Sequence, residues 1–429
     1  MNSSTPPSLI IMKTETHNED QKSFKGLNIS PDFLSALEKA NFTVPTPIQH
    51  QAIPAAIEGK DIVGIAQTGT GKTLAFGIPM IQRIMASQGR NKGLIVLPTR
   101  ELAVQVSESL QKIGRVFGIK TAVLIGGESM YHQIKAIRNN PHIIIGTPGR
   151  INDHIKQRIV RLNDVSILVL DEADTMFDMG FADQVKQILS VMPKERQTML
   201  FSATMPDSIL KIANQYMKLP LRIEIARPGT AAEKVEHELF VVQKDKRMSL
   251  LVKLLSEYKG SVLVFSRTKH GAKKICANLR TMNFAVDEIH SNRSLAQRRK
   301  ALDGFKSGRF RILVATDIAS RGIDVKGIEL VLNYDLPEAA SDYVHRIGRT
   351  GRAGLTGKAI SFVSPDQKNK IREIEYLIRT QIPVSKAQGV VQVALEENPQ
   401  PRYNHHQHMK SKGNFKSNTG FKKNYSRSR

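Results

Sequence analysis

Positions 66–73 carry residue types and a spacing that can hold a polyphosphate: Ala66, Gln67, Thr68, Gly69, Thr70, Gly71, Lys72 and Thr73. An apolar run of buried-strand length, 61–65, precedes them, and 74–85 can wind as a helix. That is the strand, glycine loop and helix order of a P-loop. Several negative charges must be held there without side chains crowding them. Gly69 and Gly71 let the backbone turn its N–H groups inward, and the helix N-terminus adds the positive end of its dipole. Lys72 reaches the β- and γ-phosphates, and Thr73 offers its hydroxyl to Mg2+. Ala66 stands where the general pattern has its first glycine.

A second constellation, Asp171, Glu172, Ala173 and Asp174, follows the apolar run 167–170, at the strand end where open α/β sheets place ligands. A carboxylate there can hold Mg2+, through water, against the phosphates that Lys72 touches, and a second can orient the attacking water as a base. Asp171 is assigned to Mg2+ and Glu172 to the water. At 345–352, His345, Arg346, Arg349 and Arg352 crowd four cationic or potentially cationic side chains into eight residues. They suit the charge that develops on a transferred phosphoryl group, and equally the grip on an RNA phosphate. Spacing alone leaves both open.

These residues need scaffolds. The 429-residue chain is too long for one typical core and, at 40% apolar residues, can fold two domains plus tails. Over 23–225, short branched runs (61–65, 93–97, 121–125, 142–146, 167–170, 198–201 and 221–225) alternate with helix-like stretches. That pattern predicts an α/β domain with a parallel sheet covered on both faces. Residues 226–234 break it with Pro and Gly and read as a flexible linker. A second α/β domain follows over 235–384, with runs at 239–242, 262–265, 285–289, 312–315, 330–334 and 359–363. It has no second Gly-Lys-Thr loop, so one nucleotide per chain is expected. Residues 1–22 read as a disordered segment, with Met12 as an alternative start, and 385–429 as a basic disordered tail. Within that tail, 401–429 hold eight Lys or Arg, three His and no acid.

The balance of 63 Lys and Arg against 39 Asp and Glu leaves a net charge of +24, which points to an anionic partner, most often nucleic acid. The single cysteine, Cys276, excludes an intrachain disulfide and a cysteine-rich zinc site, and reads as a small buried apolar residue. No apolar run approaches the ~20 residues that span a bilayer. The apolar stretch 9–12 is too short for a signal-peptide core, so cytoplasm is the default and no membrane contact is expected.

Taken together, residues 24–382 resemble the DEAD-box ATP-dependent RNA helicases of superfamily 2. Phe24 stands upstream of Phe42, Pro45, Thr46, Pro47, Ile48 and Gln49, which is similar to the family's adenine-recognising Q motif, with Asn41 in the usual glycine position. The resemblance implies that Gln49 hydrogen-bonds the adenine edge and that Phe24 stacks on the ring. The runs 98–103, 126–127 and 147–150 match motifs that line the family's RNA track, which makes Arg100, Gly127, Thr147 and Arg150 expected RNA contacts. Ser202-Ala203-Thr204 resembles the motif that couples nucleotide state to unwinding, with Ser202 and Thr204 expected on the carboxylates of 171–174, Asp174 included. In the second domain, 264–268, 315–324 and 345–352 correspond to motifs IV, V and VI. By resemblance, Arg349 and Arg352 are the arginine fingers, Asp324 contacts the ribose and Thr316 the RNA. Arg298 fits the arginine of a Gln-x-x-Arg element that would also touch RNA, and Leu295 occupies its glutamine position.

The resemblance implies two tandem RecA-like domains that bind ATP and Mg2+ and close on single-stranded RNA or a short duplex. Contacts to phosphates and 2′-hydroxyls would give little sequence specificity. RNA-stimulated hydrolysis would accompany local unwinding or remodelling of RNA–protein complexes. The short length and basic tail resemble bacterial RhlE-like members, which implies ribosome assembly or RNA turnover, with ribosomal precursors or RNA-degradation proteins as partners. Two rivals are a superfamily 2 DNA translocase, which would lack the Phe24 and Gln49 signature, and an ATP-gated RNA clamp or scaffold.

Overall fold

Each of the short apolar runs forms a strand. In the computed structural model, which describes residues 23–67, 69–88, 90–225, 235–317, 328–351 and 357–386, the first half holds seven. They are β1 (Ile62–Ile65), β2 (Lys92–Val96), β3 (Thr121–Leu124), β4 (Ile143–Gly146), β5 (Val165–Leu170), β6 (Gln197–Ser202) and β7 (Leu221–Glu224). They pair in parallel in the order β3-β4-β2-β5-β6-β1-β7. The second half adds β8 (Val235–Val241), β9 (Val262–Phe265), β10 (Val286–Ile289), β11 (Ile312–Ala315), β12 (Leu330–Asn333) and β13 (Gly357–Val363). Their order is β10-β11-β9-β12-β13-β8, again parallel. The segments 1–22, 226–234 and 387–429, and with them Thr68, Asp324 and Arg352, lie outside the described residues.

Continuous apolar runs arise because both sheet faces are covered. On β5, Ile167 and Val169 join one buried cluster while Leu168 and Leu170 join the other, and on β2 Ile95 opposes Leu94 and Val96 in the same way. The period of two puts neighbours on opposite faces, and helices on each side remove both from water. Cys276 is fully buried in the second domain's core, and burial pushes its thiol up to about 12.

One boundary differs from the sequence reading. β8 starts at Val235, four residues before the apolar run at 239, because it is an edge strand with one face partly solvated. Glu236 and Glu238 point to that face and both meet Lys358 of β13, at 3.2 and 2.9 Å. Their polar alternation keeps these residues out of the continuous apolar run.

Parallel sheets gather the loops that leave their strands' C-terminal ends. The first domain so presents the glycine loop after β1, residues 171–174 after β5 and 202–204 after β6. The second domain presents the segment after β10 and residues 316–317 after β11, and the helix Ala340–Ile347 brings His345 and Arg346.

Candidate functional site

The glycine loop turns into the helix Lys72–Ala86 through Gly71, whose φ of +94° only glycine adopts without strain. Space is as limiting as the dihedral: a Cβ there would meet Gln49 Nε2 at 2.4 Å. Gln49 Nε2 donates to the Gly71 carbonyl at 2.9 Å, and its Oε1 accepts the Thr46 N–H at 2.9 Å, closing the N-terminus of the helix Pro47–Ile57. Both ends of the amide that the resemblance assigns to adenine are therefore engaged with the protein. Phe24, expected to stack on the base, packs into the first domain's core with 4% exposure and leaves almost no open face.

Lys72 and Asp171 meet at the centre. Lys72 Nζ donates to the Ala66 carbonyl at 3.1 Å and lies 3.8 Å from Asp171 Oδ1, and both side chains are buried. Burial pushes the Asp171 carboxyl up to about 6; Lys72 opposes that shift and the neighbouring Glu172 adds to it. Glu172 follows with φ +52°, a left-handed backbone that a non-glycine residue holds at a cost, and it is buried as well. Thr73 stands in the helix's first turn.

Asp174 closes the carboxylate group. Its Oδ2 accepts the N–H groups of Ala203 and Thr204 at 3.0 and 2.8 Å and the Thr204 hydroxyl at 3.0 Å. Ser202 does not reach a carboxylate; its Oγ accepts the Asp174 backbone N–H at 3.2 Å, because β6 ends directly beneath it. Burial by itself would raise the Asp174 carboxyl, but His345, Lys72 and the N–H groups of Thr204 and Thr175 outweigh it and hold it below its ordinary value.

The cations of 345–352 divide. Arg346 is structural: it bonds Asp317, Asn333 Oδ1 at 3.0 Å and the Asp335 carbonyl at 2.6 Å, and lies over the Phe265 ring at 4.9 Å. It is 1% exposed and ties strands of the second sheet together, so it offers nothing to a phosphate. His345 instead reaches the first domain at Asp174. Arg349 is buried just beyond the helix, its Nε donating to the His345 carbonyl at 3.3 Å.

Beside this centre, a cleft of about 430 Å³ runs between the domains, lined by Arg100, Gly126, Thr147 and Arg150 from the first and by Ser291 and Arg298 from the second. Thr99 and Thr147 are the N-caps of the helices Arg100–Gly114 and Pro148–Lys156. Two helix N-termini and two arginines make an anion-binding wall suited to a phosphate backbone. Gly127, at φ +78°, keeps this wall flat, since a Cβ would lie 2.5 Å from Arg100 Nη1. Arg298 lines the cleft, but its guanidinium is committed to Glu101 at 2.9 Å. Thr316 is half-buried at the end of β11, where its N–H donates to the Ile289 carbonyl at 3.3 Å.

Residues 46–212 match the DEAD/DEAH box helicase family and 246–354 the helicase conserved C-terminal domain. The chain is 43% identical to the DEAD-box ATP-dependent RNA helicase CshA of Bacillus subtilis, over 82% of this chain and 72% of that protein. It is 44% identical to the ATP-dependent RNA helicase DbpA of the same organism, over 87% and 78%. The chain belongs to the DEAD-box ATP-dependent RNA helicases. Among solved structures, Saccharomyces cerevisiae Dbp5 bound to RNA and ADP BeF3 superimposes with a TM-score of 0.75 at 30% identity, covering 85% of this helicase and 95% of Dbp5.

Sequence reasoning missed two contributors to this helicase's cleft. Glu101 is the acid that receives Arg298 across the domains, and the helix spacing of its neighbourhood gave no sign of that partner. Met179, Phe181 and Gln184 also line the cleft, from the segment after the helix Ala173–Asp178, and only the fold brings them to Arg150.

Proposed function

We propose that this helicase couples ATP hydrolysis to local melting of short RNA duplexes, or to remodelling of RNA–protein complexes, by closing its two domains on a single strand. The observation that carries the reading is that the second domain supplies a contact to each half of the site: His345 stands 4.0 Å from Asp174, and Arg298 bonds Glu101 at the cleft. A site completed only on closure favours the transition state over the separate substrates, so hydrolysis depends on RNA.

In this mechanism Lys72 holds the terminal phosphates, Glu172 orients the attacking water, and Arg349, with Arg352, offsets the charge of the transferred phosphoryl group. The Asp171 carboxylate and the Thr73 hydroxyl form an all-oxygen donor set that suits Mg2+, and a cation there relieves a carboxylate buried against two others. Held by these two residues, Mg2+ would supply positive charge to offset that of the phosphates. Gln49 bears on adenine recognition by linking the Q motif to the glycine loop. Asp324 is assigned to the ribose. Arg100, Gly127, Thr147, Arg150 and Thr316 hold the RNA backbone, which gives little base readout.

Ribosome assembly or RNA turnover in the cytoplasm is the proposed setting. The basic tail 401–429 and the net charge of +24 support an RNA-rich one, and among the described residues no helix is long and apolar enough to cross a membrane. The relatives reported above carry CshA and DbpA names and lend no support to an RhlE-like subtype. The deciding experiment compares ATP hydrolysis with and without single-stranded RNA, and duplex release with ATP and with a non-hydrolysable analogue. Strong stimulation with release in both nucleotides fits the proposal; equal rates with and without RNA would remove it.

A further inference from the structure

One apolar side chain of the second domain belongs to the core of the first. Leu295, at the start of the helix Leu295–Lys306, is 5% exposed. It joins the buried cluster that runs from Phe24 to Ile223, and none of the three clusters of its own domain. A leucine serving its own domain would pack with Ile289, Ala301 or Phe305, which form the cluster beneath that helix. Arg298 and Arg299 follow at i+3 and i+4, hence on the same helical face. They too meet the first domain, at Glu101 (2.9 Å) and Glu128 (3.5 Å).

The three contacts differ in what they contribute. Arg299 and Glu128 are both more than two-fifths exposed, and solvent screens such a pair almost to nothing. Glu101 is buried and Arg298 is nearly so, their side chains 4% and 11% exposed, and their attraction is largely offset by lost hydration; among the described residues Arg298 Nε and Glu101 Oε1 find no hydrogen-bond partner. The ion pairs therefore fix register. The net drive comes from the leucine, whose apolar surface leaves water only when the domains meet.

We propose that Leu295 is an apolar latch, a positioning residue that favours domain closure whether or not RNA is bound. It lowers the amount of binding free energy that RNA must supply, so the helicase closes at lower RNA concentration. Glu101 adjoins Arg100, so the same contact steadies the cleft wall that faces the phosphates.

The inference rests on the closure mechanism proposed above, and the test separates the two. Full-length wild type, Leu295→Gln and Leu295→Met are compared for affinity to a non-hydrolysable ATP analogue without RNA, for the oligouridylate concentration giving half-maximal ATPase, and for its salt dependence. Leu295→Gln is expected to weaken the RNA-free analogue affinity and to raise the half-maximal RNA concentration about tenfold, equivalent to about 1.4 kcal/mol. The rate at saturating RNA and the salt slope stay put, since no phosphate contact is lost. Leu295→Met restores both within about twofold, because it fills a similar apolar volume. A lower half-maximal RNA concentration in Leu295→Gln, or an altered salt slope, would show that position 295 touches RNA and overturn the latch. A lower melting temperature with both affinities unmoved would reduce it to core packing. An unstimulated wild type removes the closure mechanism itself, whereas a stimulated wild type with an indifferent Leu295→Gln removes only the latch.

Discussion

His345 Nε2 of the second domain lies 4.0 Å from Asp174 Oδ2 of the first, the same oxygen that accepts both Thr204 donors. One carboxylate oxygen thus joins the end of β6 to the helix Ala340–Ile347. On its other side, His345 Nδ1 lies 3.9 Å from Asp342, and Asp178 completes an acidic surround.

The expected consequence is that His345→Ala separates nucleotide binding from RNA stimulation. A coupling contact of this kind is worth roughly 5- to 150-fold. RNA-stimulated turnover should fall within that range, while ATP affinity without RNA moves little. Titrating both in one preparation is the check, and equal losses would place His345 in the nucleotide pocket itself.

Asp171 sets opposite demands on stability and activity. Its carboxyl titrates near 3.8 in the unfolded chain and at about 6 in the folded one. Its contribution to stability is therefore greatest below about pH 4 and declines as pH rises through about 6, where the folded chain must hold a buried charge. Asp171→Asn should raise the melting temperature of the ligand-free protein at pH 7.5, scarcely change it at pH 4, and abolish Mg2+-dependent hydrolysis. Thermal melts at the two pH values decide it. Wild-type demand for Mg2+ should also rise below pH 6, since the metal must displace a proton.

Gln49 tests whether recognition and architecture share one amide. Gln49→Ala removes a donor from Gly71 and an acceptor from Thr46, a loss of roughly 1–3 kcal/mol divided between folding and ATP binding. Gln49→Glu keeps the acceptor for Thr46 but replaces the donor with a carboxylate oxygen facing the Gly71 carbonyl. Should adenine be read at this position, both variants narrow the preference for ATP over GTP; a wild type that accepts GTP equally well would contradict the Q-motif assignment.

Lys72→Ala should lose nucleotide-dependent activity, because the phosphates lose their main side-chain partner. Glu172→Gln should retain ATP and RNA yet stall turnover, since only the water-orienting group changes. Nucleotide filter binding beside single-turnover hydrolysis distinguishes the two outcomes.

Deleting 401–429 should weaken RNA binding without slowing the saturated enzyme. Single-strand binding loses about 0.7 of log–log salt slope per phosphate neutralised, so engagement of half the eight basic side chains predicts a slope flatter by roughly 3. A collapsed maximal rate would instead assign the tail to the catalytic core.

The fold was legible where burial is two-sided. Runs such as 262–265 and 312–315 coincide with β9 and β11 because every position is covered and must be apolar. β8 was partly hidden, since an edge strand admits Glu236 and Glu238. At the site, the placement of the glycine loop after β1 and of 171–174 after β5 was readable, since one strand end positions its own residues. What could not be read were relations between segments distant in sequence. Arg346 and Arg349 look alike in a motif, yet the first is held by Asp317, Asn333 and Asp335 inside its own domain. Nor does the motif around Gln49 show that its amide also donates to the Gly71 carbonyl, 22 residues away.

Cys276 bears on how the motions of this molecule can be followed. A thiol reacts as its thiolate, and one that is fully buried and pushed up to about 12 is nearly inert toward alkylating reagents at neutral pH. Two cysteines introduced on the surface, one per domain, can thus carry fluorophores with the native residue left in place. The same residue becomes reactive once its domain unfolds, so its modification by maleimide reports loss of the second domain's core from within the experiment that watches the domains close.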